Sequence, residues 1–294
     1  MTQFSPLVST DWLEMHAEDN SVVVLESSVF LELSEMSGRP EFRSGLDAFE
    51  GEGRIPKARF ADMFSEFSDP NSSLPFTRPN KSHFDAAAGR LGITPDSHVI
   101  IYDRLVGQWA SRLWWLFRSF GHSKVSVLDG GLKKYLREGR KLEEGRPYPY
   151  PMAQYSAPSD GNFIVSKQDV VRATDSSSKT DIVCFLPEDD FAGRINVRER
   201  LGHIPGSANL PFKKLLDPTT NGLQPTEKLK QLFSEVISLD GRQVITYCGG
   251  GVASTLGALA LAVLGYSNTA EYDGSLAEWV LDATLPMETG LAPT

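Results

Sequence analysis

The chain has 294 residues, 40% hydrophobic and 23% charged, with a formal net charge of −9 and an isoelectric point near 5.1. At about 100–200 residues per domain this length fits two domains, and the acidic balance argues against nucleic acid or an anionic membrane as partner. No apolar run approaches the roughly 18 residues of a membrane span, and no signal-peptide pattern opens the chain. Two cysteines, Cys184 and Cys248, and five scattered histidines form neither a disulfide framework nor a metal-ligand spacing. The expectation is a reducing, cytoplasmic setting, with no metal and no cofactor.

In chain order, Ser9 or Thr10 caps a short helix through His16. Ser21–Leu25 is a β-branched run, read as a buried strand. The stretch from Glu26 to Gly53 is polar and reads as irregular, with a turn at Gly38-Arg-Pro40. A loop from Ser68 to Pro79 precedes a helix over Lys81–Leu91, a strand over Val99–Tyr102 and a helix over Gln108–Phe120. Trp109, Trp114, Trp115 and Phe117 give that last helix an aromatic face, of which Trp114, Trp115 and Phe117 read as core, and Gly121 fits its C-terminal end. Val125–Leu128 is a further strand. Glu143 to Gly161 is rich in Pro, Gly and Tyr, lacks apolar periodicity and reads as a linker.

Beyond the linker the same order of events recurs. Gly202-His-Ile-Pro205 matches Gly53-Arg-Ile-Pro56, Tyr247-Cys248 matches Tyr102-Asp103, and Tyr272-Asp-Gly-Ser275 matches Leu128-Asp-Gly-Gly131, each 144 to 149 residues later. Offsets that drift so little mark a duplicated domain. Short apolar strands alternating with helices predict parallel sheets. Ligands of such sheets bind beyond the carboxyl ends of the strands, so a cleft between the halves, facing Cys248, is expected.

The informative stretch is Val244-Ile-Thr-Tyr-Cys248-Gly-Gly-Gly-Val-Ala-Ser254, followed by an uncharged Ala/Leu run. It reads as strand, tight loop, helix. Helix N-termini offer unpaired N–H groups and partial positive charge, and glycines let successive N–H groups curl around an anion. A cysteine held there is expected to favour the nucleophilic thiolate. The first half places Asp103-Arg-Leu-Val-Gly107 at the same point and has no thiol.

These motifs, together with Gly202-His-Ile-Pro-Gly206 and Glu278-Trp279, resemble the tandem-domain rhodanese family, the thiosulfate and 3-mercaptopyruvate sulfurtransferases. The resemblance implies an α/β fold of two tandem rhodanese-like domains, each a parallel five-stranded sheet flanked by helices. Residues 1–145 would form a domain lacking the catalytic cysteine, 146–161 a linker and 162–294 the catalytic domain. It implies that Cys248 carries a persulfide held by backbone N–H groups of Gly249, Gly250, Gly251, Val252 and Ala253. The partners implied are a small anionic sulfur donor and a thiophilic acceptor: cyanide, a small thiol or a thioredoxin-like protein. Loops with basic side chains go with thiosulfate in this family, and Cys-Gly-Ser/Thr-Gly-Val loops go with 3-mercaptopyruvate.

Cys248-Gly-Gly-Gly-Val252 is similar to the second pattern but departs from it. Gly250 stands for the loop serine, Arg54 for a histidine, and Cys184-Phe-Leu186 for an Asp-Ala-Arg triplet; the first half has Glu26-Ser-Ser28 there. The family's donor-gripping arginine before Gly202 falls on Arg194 or Arg198, and Arg54 is a candidate compensating charge. The alternative function is a catalytically weak anion-binding or regulatory module, or a sulfur carrier for a specialised pathway. A cysteine phosphatase needs Cys-x5-Arg, and the sixth residue after Cys248 is Ser254. Cys184 reads either as an inert buried thiol or as a resolving partner for Cys248. His203 reads as ordering its Ile-Pro turn.

Overall fold

The computed structural model describes residues 4–291 except 34–39, 148, 159–160, 162, 176 and 196–197. The chain forms two compact units. One gathers Met1–Asn71, Arg78–Asp160 and Thr220–Gly222, the other Ser72–Thr77, Gly161–Thr219 and Leu223–Thr294.

The first unit runs β1 (Leu7–Val8), α1 (Thr10–Met15), β2 (Val22–Glu26), β3 (Val29–Leu33), β4 (Pro40–Ser44), α2 (Leu46–Gly51), β5 (Arg59–Phe60), α3 (Lys81–Arg90), β6 (His98–Tyr102), α4 (Gln108–Ser119), β7 (Val125–Leu128) and α5 (Gly131–Arg137). Its main sheet has the order β1-β7-β6-β2-β5, with every pairing parallel. β6 is buried along its whole length, as a strand covered on both faces must be, which is why it reads as an unbroken apolar run. Ser9 caps α1 by accepting from Trp12 N–H at 3.0 Å.

The second unit runs β8 (Ile164–Val165), α6 (Lys167–Ala173), β9 (Asp181–Cys184), α7 (Glu188–Phe191), β10 (Ala208–Asn209), a 3-10 turn at Phe212–Leu215, α8 (Thr226–Ser234), β11 (Val244–Tyr247), α9 (Ala253–Val263), β12 (Thr269–Tyr272) and α10 (Ser275–Trp279). Its sheet, β10-β9-β11-β12-β8, is again parallel throughout. Position for position it repeats the first sheet: β9 stands for β2, β11 for β6, β12 for β7. Ser166 and Asp169 form a capping box on α6, the counterpart of the Ser9 cap on α1.

Two stretches differ from the sequence reading or sharpen it. The described residues between 26 and 53 are not irregular: β3 and β4 pair as an antiparallel ribbon, followed by α2. The ribbon escapes notice because Leu31, Leu33 and Phe42 are exposed, so it lacks the buried apolar face that marks a strand. The turn expected at Gly38-Arg-Pro40 falls largely outside the described residues. After Gly145 the chain is pinned to α3: Ala153 N–H donates to Gly89 O at 2.9 Å and Ala157 N–H to the Asp85 carboxylate at 2.9 Å. Trp114, Trp115 and Phe117 of α4 are core, as read, and Trp109 is buried with them.

Phe185, just after β9, packs its ring against the backbone of α9 where Gly257 leaves room; a Cβ at Gly257 would overlap the ring. Gly257→Ala should therefore destabilise the protein by about 1–3 kcal/mol despite the roughly 1 kcal/mol that alanine gains over glycine in a helix. A urea unfolding midpoint that rises in this variant would contradict the packing.

Candidate active site

The site forms where β11 ends. Cys248 follows Tyr247 directly, and five residues on from the cysteine α9 begins at Ala253. Neighbouring elements hold the cysteine's backbone. Cys248 N–H donates to Ser275 Oγ at 3.1 Å. Leu276 N–H donates to Cys248 O at 3.1 Å, and Ala277 N–H to Gly249 O at 2.8 Å. Ser275 adopts a left-handed φ of 48°, a conformation that disfavours any side chain. Its hydroxyl, donating to Tyr272 O at 2.9 Å, is what that strained position supplies. The counterpart in the first unit is Gly131, with φ 55° and no hydroxyl.

The first unit shows what such a loop does to an anion. Asp103 stands where Cys248 stands, and α4 likewise begins five residues on, at Gln108. The Asp103 carboxylate folds back into its own loop. One oxygen accepts from Leu105 N–H at 2.8 Å and Gly107 N–H at 3.0 Å; the other accepts from Trp109 N–H at 3.0 Å and Ala110 N–H at 3.1 Å. Four converging N–H groups make an anion nest, filled by the side chain itself. Arg104 is turned away into the sheet, paired with buried Glu26 at 2.5 Å and with Glu52 at 3.2 Å. By the repeat, the matching groups of the second loop are the N–H groups of Gly250, Val252, Ser254 and Thr255, of which the Thr255 N–H already donates to Val252 O at 3.2 Å. A cysteine side chain is neutral as a thiol and one bond shorter than the aspartate carboxylate, so a terminal anion there must come from the thiolate or from an atom added to it.

Cys248 is buried, 3% exposed. Its Sγ lies 3.3 Å from Ser254 Oγ. Ser254 in turn bonds one oxygen of Glu271, whose other oxygen accepts from Thr246. Ser254, Glu271 and Thr246 are fully buried.

The residues singled out in the sequence fall in different places. Gly249 lies directly under an arginine: a Cβ there would sit 2.8 Å from Arg198 Nη2. Arg198 is thus the arginine at the loop, its guanidinium held on both oxygens of Asp190. Arg194 is half exposed and pairs with Asp189 at 2.8 Å. A Cβ on Gly250 would meet nothing within 4 Å, so the space a loop serine would use is open. Gly251 takes a left-handed φ of 71°, Val252 caps α9 and Ala253 is its first residue.

Arg54 is a correction. It is fully buried, paired with Glu143 and bonded to Gly145 O at 2.8 Å. Its charge is spent inside its own unit and offers no guanidinium to a donor. Cys184 is buried and unbridged, and burial pushes its thiol up to about 12, which keeps it protonated and inert. His203 stacks on Phe191 with ring centroids 3.6 Å apart, and its Nδ1 lies 2.9 Å from Phe191 O; burial lowers its pKa. It braces the turn before β10. Sequence reading missed Ser275, Ser254, Glu271 and Thr246. The signal was the repeat itself, because three of them replace apolar residues of the first half.

The duplicated five-stranded sheet and the loop at its strand end agree with comparisons to known proteins. The rhodanese-like domain profile matches residues 9–138 and 174–282. The chain belongs to the rhodanese-like family. It is 33% identical over 290 residues to mouse 3-mercaptopyruvate sulfurtransferase, covering 95% of this chain and 93% of that one. It is 33% identical over 303 residues to Chinese hamster thiosulfate sulfurtransferase, covering 97% and 95%. The crystal structure of the Escherichia coli 3-mercaptopyruvate enzyme SseA superposes with a TM-score of 0.81 at 32% identity, over 92% of this chain and 99% of that one. This member of the family is a sulfurtransferase built as two rhodanese-like domains. Among its described residues no helix is long and apolar enough to cross a membrane.

Ser275→Ala should lose about 1–2 kcal/mol of stability with its two hydrogen bonds. Ser275→Gly should recover part of that through the relieved φ yet remain as slow in sulfur transfer as the alanine variant. Full activity in the glycine variant would show that the hydroxyl does not position Cys248.

Proposed function

We propose that Cys248 carries sulfur between a small anionic donor and a thiol acceptor as a persulfide. The observation that carries this reading is the matched pair of loops: one holds the Asp103 carboxylate on four N–H groups, and the other presents a thiol at the same point. The Cys248 thiolate attacks the donor's sulfur, an S–S bond forms, and the donor's bond to that sulfur breaks. From thiosulfate the electron pair leaves with sulfite; from 3-mercaptopyruvate it leaves with the enolate of pyruvate, which takes up the donor's thiol proton. The outer sulfur of Cys248-S-S⁻ extends the chain by one atom into the nest, where preorganised N–H groups stabilise the charge. An acceptor thiolate or cyanide then removes it.

Charge supports 3-mercaptopyruvate over thiosulfate as donor. The loop from Gly249 to Thr255 carries no cationic side chain. The guanidinium beside it, Arg198, is already offset by Asp190. A carboxylate monoanion suits that setting better than a dianion. For the acceptor, a small thiol or a thioredoxin-like protein fits, and two unbridged thiols support a reducing, cytoplasmic setting.

Intact-protein mass spectrometry after incubation with each donor tests this. One added sulfur on the wild type, absent from Cys248→Ser and discharged by cyanide, is the expected result, with faster loading from 3-mercaptopyruvate. No added sulfur from either donor on a Cys248 that still alkylates would overturn it. Arg198→Gln should raise KM for 3-mercaptopyruvate about tenfold, the loss of a charge-assisted pair of roughly 1.5 kcal/mol, while its Cys248 still reacts with iodoacetamide.

A further inference from the structure

The repeat provides an internal control for the floor of the site. Thr246, Ser254 and Glu271 occupy the places of Ile101, Trp109 and Val127 in the first unit. Those three are buried core residues, as expected beneath a loop. In the second unit the same places are just as buried but polar, and they are bonded to one another. A buried carboxylate is costly to desolvate. The half that carries it is the half that carries the cysteine, and Ser254 Oγ touches both, lying 3.3 Å from Cys248 Sγ.

A serine hydroxyl has one hydrogen and can give it to one acceptor at a time. With that hydrogen on Glu271, the Cys248 thiol donates its own hydrogen to Ser254 Oγ. With it turned to sulfur, Glu271 must be the protonated partner and donate to Ser254 Oγ. The two arrangements differ by one proton moved along the chain and share the same net charge.

We propose that Ser254 and Glu271 form a proton relay for Cys248: the thiol proton passes through Ser254 to Glu271, so that Cys248 rests as a thiolate beside a neutral acid. The step is Cys248–SH with Glu271–COO⁻ going to Cys248–S⁻ with Glu271–COOH; Ser254 gives one proton and receives one, and no electrons leave or enter. The buried site then holds one negative charge instead of two, first on the thiolate and then on the persulfide. Glu271 acts through Ser254 and is a positioning and proton-holding residue; Ser254 touches the reacting sulfur. The relay rests on Cys248 being the sulfur-carrying nucleophile.

Other titratable groups lie on the elements packed around the loop. Arg198 lies over Gly249 and is paired with Asp190. Cys184 on β9 is held protonated by burial. Glu278 on α10 lies against Gly274. None is altered by the substitutions below, so their influence is common to all the proteins compared.

The test is infrared difference spectroscopy of the reduced protein at neutral pH, which needs no sulfur donor. The wild type should show a protonated-carboxyl C=O band that disappears in Glu271→Gln, assigning it, and disappears in Cys248→Ser, tying it to the thiolate. A band that persists in Cys248→Ser would mean that burial alone keeps Glu271 neutral. Absence of the band from the wild type would mean that Glu271 stays ionised. Either result overturns the relay. Should Glu271→Gln fail to fold, the wild type and Cys248→Ser still decide.

A second readout is the pH profile of persulfide loading from thiosulfate, whose charge is constant over the range. In the wild type the rate should fall again at high pH, by about tenfold per unit, as Glu271 gives up its proton and a second negative charge appears. Glu271→Gln should lack that alkaline limb; an unchanged profile would count against the relay. Failure of thiosulfate and 3-mercaptopyruvate to load any sulfur would instead overturn the persulfide reading, with the infrared result standing separately.

Discussion

An anion at the carboxyl end of the central strand is the constraint from which the rest of each unit follows. Four residues separate the strand-end side chain from the start of the next helix, in both units. So short a loop at a helix N-terminus turns its N–H groups inward. Inward-turned N–H groups favour an anion. In the first unit Asp103 supplies it, and that unit is self-satisfied: its loop arginine is drawn back onto Glu26, whose carboxyl is pushed up by burial. In the second unit the anion is left to chemistry. The sheet order, the Ser275 brace and the glycines all place one sulfur at that point.

The same duplication explains why the second unit departs from a well-packed core. Replacing Ile101, Trp109 and Val127 by Thr246, Ser254 and Glu271 exchanges apolar packing for a buried polar cluster. Such clusters rarely contribute net stability and concentrate where a site must handle charge. Arg198 lies over Gly249 and is paired with Asp190. On the thiol itself, one hydroxyl, that of Ser254, links the sulfur to the Glu271 carboxyl. In the first unit the corresponding floor positions are apolar, and the loop carries Asp103 in place of the thiol.

Much of this was legible in the sequence. The strands are buried on both faces and read as continuous apolar runs, so the α/β class, the repeat and the position of Cys248 follow from pattern alone. What escaped depends on contacts between residues far apart in the chain. Arg54 belongs to a motif that suggests an outward charge, yet its partner Glu143 lies 89 residues on. Arg194 and Arg198 are equivalent on paper; the backbone of Gly249 separates them. Ser254 and Glu271 lie 17 residues apart, on a helix and a strand that only the fold brings together. The β3–β4 ribbon hid for the opposite reason, since it buries too little to leave a pattern.

The most direct test of the central claim is a crystal structure of the protein after reaction with 3-mercaptopyruvate. The account predicts extra density for one sulfur atom on Cys248, pointing into the loop and within about 3.5 Å of the amide nitrogens of Gly250 and Val252, allowing for a longer reach than the ~3.0 Å of an N–H···O bond. It predicts that this outer sulfur takes the place that the Asp103 carboxylate holds in the first unit. An outer sulfur directed away from those amides, or sulfur carried on Cys184 instead, would contradict it.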